Sequence, residues 1–198
     1  MTHYPPGVTI LPFNGISPRI HSSAFIAPGC RIIGDVEIGA DASIWYNCVI
    51  RGDVNRIVIG ARTNVQDGSV IHVDGPKPHR PEGCATIIGD EVLIGHMAMV
   101  HGCTLEDRAF VGLGTIVMDG CHLESDAMLA AGAMLTPGKR IPSRELWSGR
   151  PAAFMRTLTD AALADMREGV ARYVDNGHAH GAALAALDGA GLDGAAQG

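Results

Sequence analysis

Three histidines in the middle of the chain, His72, His96 and His101, carry the side chain most often used to bind a transition metal. Around them stand Arg51, Asp53, Asn64, Gln66 and Asp67. Imidazole nitrogens hold a divalent ion at about 2.1 Å, and charged or amide side chains beside it can orient a water molecule. The chemistry on offer is metal-assisted attack by water. Local spacing alone does not assemble the site. His96 and His101 are five residues apart, and His72 lies 24 residues before His96. Whether they meet depends on the elements that carry them.

Those elements repeat every six residues. An aliphatic residue recurs at Ile20, Ile26, Ile32, Ile38, Ile44 and Ile50, then at Ile59, Val65 and Ile71. The series returns at Ile88, Ile94 and Val100, and again from Val111 to Ile141. A small or short-branched residue follows most of them four positions later, as at Ala42, Cys48, Ser69, Ala98 and Cys121. A period of six does not match the 3.6 residues of a helical turn. Three six-residue steps make one coil with three flat faces, each a short parallel strand. Coils stack about 4.8 Å apart. One hexapeptide cannot bury its own apolar side, so stability comes from the stack. The expected fold is an all-β solenoid, a parallel β-helix, over residues 8–145.

The interruptions carry information. Ile50 to Ile59 is nine residues, which makes a three-residue bulge containing Asn55 and Arg56. Ile71 to Ile88 is 17 residues, an 11-residue insertion rich in Pro and Gly that projects as a loop over 73–87. Val100 to Val111 is one residue short of two steps. After Ile141 the repeats stop, and residues 146–178 read as a connector and a helix capped by Thr159 or Asp160. Leu163, Met166, Val170 and Tyr173 give that helix one apolar stripe to lay on the solenoid. Residues 179–198 read as a second short helical segment or a disordered tail.

With the interruptions counted, Ile50, Ile71 and Val100 mark successive coils. The residues after them are Arg51, His72 and His101, which therefore stack on one outer edge. His72 and His101 lie one coil apart with parallel side chains, close enough to share an ion. His96 sits at a different repeat position on the preceding face and points around the corner. A three-sided prism packs naturally about a three-fold axis. In a homotrimer, His96 of one subunit can face His72 and His101 of its neighbour, with equivalent sites at each interface. The competing reading is three ordinary surface histidines. His21, His122, His178 and His180 have no converging partners and read as surface residues.

Composition limits the alternatives. A formal net charge of −6 argues against general nucleic-acid binding. No stretch reaches transmembrane length and the N-terminus lacks a secretory pattern, so a cytoplasmic protein without membrane contact is expected. The five cysteines do not form a disulfide or zinc-thiolate pattern. Cys30, Cys48 and Cys121 fall on the small inward position and read as buried hydrophobes.

The stretches SIWYNCVIRGDVNRIVIGARTNVQDGSVIH, IGHMAMVHGC, VGLGTIVMDG and LWSGRPA together resemble the gamma-class carbonic anhydrases, over about residues 8 to 175. The resemblance implies a left-handed β-helix and a homotrimer. It implies metal ligands at His72 and His101 of one subunit and His96 of the next. It implies an inter-subunit salt bridge between Arg51 and Asp67. Gln66 would orient metal-bound solvent or hold bicarbonate, Asp53 would support Arg51 or the solvent network, and Asn64 would line the pocket. The implied reaction is reversible hydration of carbon dioxide to bicarbonate. Zn2+ suits three nitrogens and a water, and Fe2+ or Co2+ fits the same ligands.

The chain departs from that family's most active archaeal members. They carry glutamates beside the RGD segment and in the loop after the first histidine. Here Val54 follows the RGD segment, and Gly75 and Pro76 begin the loop. His79 has a suitable ordinary pKa for moving protons but reads as an exposed loop residue. Low hydration activity follows from this. The alternatives are a metal-dependent acyl-CoA thioesterase, a hexapeptide acyltransferase that uses no metal, and a non-catalytic metal-binding trimer.

Overall fold

The computed structural model describes residues 4–189. It is a left-handed parallel β-helix followed by one C-terminal helix. Two long strands, Arg31–Ile38 and Val49–Ile59, bend across a corner and join two walls into one 12-stranded sheet. The third wall is a separate 8-stranded sheet.

The six-residue period becomes three columns of stacked aliphatics. In the first wall Ile32, Ile50, Ile71, Val100, Val117 and Leu135 lie in direct register. In the second the column is Ile38, Ile59, Ile88, Leu105, Leu123 and Ile141. In the third it is Ile26, Ile44, Val65, Ile94, Val111 and Leu129. All of these side chains are buried. Truncating one, for example Ile71→Ala, should cost about 2–5 kcal/mol through lost transfer energy and a cavity that flanking coils cannot close. Leu105 explains how the chain tolerates the short step after Val100: five residues reach it instead of six, and it still fills the second column.

The two longer interruptions are tied to each other. Asn55, in the bulge, donates from Nδ2 to the carbonyls of Asp74 at 3.2 Å and Glu82 at 2.8 Å. These are the two ends of the projecting loop. Gly83 sits in the left-handed region, φ +63°, and a Cβ there would come within 2.7 Å of the Asn55 amide. Only glycine lets the loop return so closely.

The segment read as a connector is structured. Glu145–Gly149 and Ala152–Thr157 form an antiparallel hairpin that extends the third wall. In the Ser148-Gly149-Arg150-Pro151 run, which suggests an irregular link, Ser148 and Gly149 end the first strand and Arg150-Pro151 is the turn. Helix α1 runs unbroken over Asp160–Gly189, so the two helical segments expected from sequence are one. Thr159 caps it, its hydroxyl accepting from the Ala162 amide at 3.2 Å. Its apolar stripe packs on Leu93, Phe110, Met128 and Leu146 of the third wall. The proposed tail beyond 189 lies outside the described residues. Among the described residues no helix is long and apolar enough to cross a membrane.

The cysteines follow the repeat. Cys30, Cys48 and Cys121 are buried, as is Cys103, and all are free. Burial pushes the Cys103 thiol well up, which keeps it protonated.

Candidate metal centre

His72 and His101 are direct register partners on adjacent strands of the first wall. Their rings are not parallel as the register suggests but meet edge-on, with centroids 5.0 Å apart and planes at 63°. His72 Nδ1 lies 3.0 Å from His101 Nε2. The backbone between them is clamped by a buried hydroxyl. Thr86 Oγ1 donates to the His72 carbonyl at 2.6 Å and accepts from the Gly102 amide at 2.9 Å. Strand pairing sets the coil spacing, and Thr86 fixes it at the edge where the projecting loop rejoins the solenoid.

Each ring has a carboxylate on its far side. His72 Nε2 meets Asp53 Oδ1 at 2.9 Å, and His101 Nδ1 meets Asp119 Oδ1 at 2.5 Å. Asp53 also accepts from Arg51. Burial disfavours charge on Asp53, but the hydrogen bonds from His72 and Arg51 outweigh it and hold its carboxyl below the usual range. An ionised carboxylate only accepts, so a neutral ring that donates its N–H to its aspartate presents its lone pair to the other ring. Two lone pairs facing across 3.0 Å repel unless a proton or cation lies between them. The pair of nitrogens fits a divalent transition ion.

His96 lies in the turn where the third wall passes into the first, between Leu93–Ile94 and Met99–His101. Its Nδ1 pairs with Asp67 Oδ2 at 2.8 Å, which leaves Nε2 free and 43% of the side chain exposed. It does not join the other two histidines within the chain. Among the described residues no group of three or more His, Cys, Asp or Glu could hold a metal ion. Gln66 is buried beside His96 and donates from Nε2 to Asn64 Oδ1 at 3.0 Å. The Asn64 Nδ2 is a buried donor without a partner. A cavity of about 390 Å³ opens between Gln66, His96, Leu113 and the helix residues Met166 and Tyr173.

Arg51 and Asp67 therefore have other partners inside one chain: Arg51 takes Asp53, and Asp67 takes His96. Sequence reading did not find Asp119 or Thr86. The signal for Asp119 was masked: the coil after Val100 is 17 residues, so Met118 follows the register of His101 and Asp119 falls one place beyond it. Thr86 lies at the end of the insertion, where counting by six loses its reference. Among the other histidines, His122 pairs with Glu106 at 2.5 Å. His180 packs edge-on against Trp45 and bonds the Tyr46 hydroxyl at 2.9 Å. His79 is exposed on the loop.

The Bacterial transferase hexapeptide (six repeats) model matches residues 17–52. A probable carbonic anhydrase of Methanocaldococcus jannaschii is 45% identical over 155 residues, covering 78% of this chain and 93% of that protein. The chain belongs to the hexapeptide-repeat left-handed β-helix family homologous to the gamma carbonic anhydrases. Gamma carbonic anhydrase 1, mitochondrial, of Arabidopsis thaliana is 46% identical over 170 residues. That match covers 84% of this chain, which spans 60% of the plant protein's length. Among solved structures, a hexapeptide transferase family protein from Anaplasma phagocytophilum superposes with a TM-score of 0.80 at 45% identity. It covers 86% of this chain and 97% of its own. Homology within this family of carbonic anhydrases and acyltransferases supports a catalytic role.

Proposed function

We propose that the protein catalyses reversible hydration of carbon dioxide at a metal ion shared between subunits of a homotrimer. His72 and His101 of one subunit and His96 of the next would hold the ion. The observation that carries this reading is the 3.0 Å approach of His72 Nδ1 and His101 Nε2, each backed by an aspartate. Zn2+ suits three neutral nitrogens, and Fe2+ or Co2+ fits as well. Bound there, such an ion acts as a Lewis acid that makes water acidic enough to supply a nucleophile near neutral pH.

The chain's own groups do the rest. Asp53 would take the outer N–H of His72, and Asp67 lies 2.8 Å from Nδ1 of His96, so each ring is left with its opposite nitrogen for the ion. Gln66 Oε1 is an acceptor beside His96, suited to orienting a water or a bicarbonate O–H, while Asn64 is fully buried and does not line the cavity; its Oδ1 holds the Gln66 amide in place. Arg51 pairs with Asp53 on the His72 side within one chain, and across a subunit boundary it would reach Asp67. With Val54 and Gly75 where glutamates would serve proton transfer, release of the proton to solvent would limit turnover.

A second reading, a metal-dependent acyl-CoA thioesterase, has one observation in its favour. The cavity beside His96 and Gln66 is lined by Leu93, Phe110 and Leu113 and would accept an acyl chain. Isotope exchange between carbon dioxide and bicarbonate decides between the two. Metal-loaded protein prepared without oxygen should exchange label, and His101→Ala should not. Acyl-CoA hydrolysis without exchange would overturn the hydration reading.

A further inference from the structure

The metal-site reading leaves Asp119 unassigned, although it makes the shorter of the two aspartate contacts to the facing histidines, 2.5 Å from Oδ1 to His101 Nδ1. Its place is cleared by the residue after His101. Gly102 sits in the left-handed region, φ +53°, and a Cβ there would lie 2.3 Å from Asp119 Oδ1. Any larger residue at 102 would push the carboxylate off the ring. Among the described residues His101 is the sole ion-pair partner of Asp119, so no lysine or arginine competes for it. The two side chains are about equally shielded, 31% and 30% exposed. A partly shielded contact is weakened less by solvent than a fully exposed one.

We infer that Asp119 is a positioning residue: it fixes His101 as the Nδ1–H tautomer, aims the Nε2 lone pair at His72, and thereby sets the affinity of the shared metal site. The affinity half rests on the reading above; the tautomer half does not. A carboxylate accepting from the outer nitrogen orients the ring and makes the inner nitrogen a stronger donor. An asparagine of the same shape loses the charge, and its amide can turn either an oxygen or an N–H toward the ring.

The test uses the full-length protein with Asp119→Asn and Asp119→Glu. Side-chain 15N NMR of the metal-free protein at about pH 8, above the ordinary imidazole range, reads the tautomer. Wild type should show His101 protonated on Nδ1, and Asp119→Asn should show a mixture or a shift to Nε2. Competition with a chromophoric chelator for Co2+ then reads affinity. Asp119→Asn should bind about 10–100-fold more weakly, with part of the loss restored in Asp119→Glu and subunit assembly unchanged. An unaltered tautomer in Asp119→Asn, or an affinity within about twofold of wild type, overturns the inference. A wild-type protein that takes up no Co2+ removes the shared-metal reading and the affinity half with it. The NMR result still decides whether Asp119 orients His101.

Discussion

His72 and His101 are 29 positions apart in the chain yet occupy matched places on neighbouring strands, nitrogen facing nitrogen at 3.0 Å. Neither ring can move away without unpairing from its own aspartate. The arrangement holds two electron pairs against each other, and a cation relieves that opposition. Metal analysis of His72→Ala and His101→Ala should therefore show near-complete loss of bound ion at micromolar free metal. Retained stoichiometric metal in either variant would place the ion elsewhere.

The separation of His96 from this pair has its own consequence. His96→Ala and His101→Ala should each lack metal and turnover when made alone. Co-expressed, they should regain part of both, because a boundary that joins an intact His96 to an intact His72–His101 pair restores one full set of ligands. A mixed preparation as empty as its parents would mean that the ion is not shared across a boundary.

The loop 73–87 is fastened at both ends by Asn55. Removing these two hydrogen bonds, one half-buried and one exposed, at about 1 kcal/mol each should raise the population of the opened loop by roughly tenfold or more. Amide hydrogen exchange within the loop reads that opening. Asn55→Ala should exchange correspondingly faster over 74–84, with the protection of the solenoid strands unchanged. An unchanged exchange rate would show that the loop is held by other contacts.

Acid stability should trace to a different histidine. The His122 ring beside Glu106, together with two hydrogen bonds from Ser125, holds the Glu106 carboxyl below the usual range against a smaller opposing effect of burial. A carboxyl depressed in the folded state stabilises it above the unfolded value, about pH 4.3, and loses that contribution as pH falls through the folded value. Glu106→Gln should lower the melting temperature at about pH 7 and converge on wild type at about pH 3. A constant offset between the two across that range would remove this carboxylate from the acid response.

Much of this architecture was legible because a solenoid translates sequence distance into spatial distance almost linearly. Counting by six from Ile50 to Ile71 to Val100, with the three-residue bulge and the 11-residue insertion set aside, stacks His72 on His101, and the ladder has that register. The count fails where the chain leaves the coil. Thr86 closes the inserted loop, so its contact with His72 depends on how that loop folds back, which no period reports. Asp119 was missed for another reason: the coil from Val100 to Val117 is one residue short, so the count puts Met118 in register with His101 and leaves Asp119 one place beyond, where it looks like a turn residue. The hairpin at 145–157 was hidden because Gly149, Arg150 and Pro151 resemble a link, while its strands gain their partner only from the preceding coil. His180 lies far from any repeat, and only the unbroken length of α1 brings it to Trp45.

The columns of aliphatic residues make the molecule extensible, but not everywhere. An extra 18-residue turn spliced in after Leu135 would add one more layer and leave the paired rings untouched. The same splice between Ile71 and Val100 would double their separation to about 9.6 Å, two interstrand steps, too far for one ion to touch both. A lineage built by duplicating coils would thus be free to grow toward its C-terminal end, while the stretch spanning the two histidines could not lengthen without dismantling what it carries.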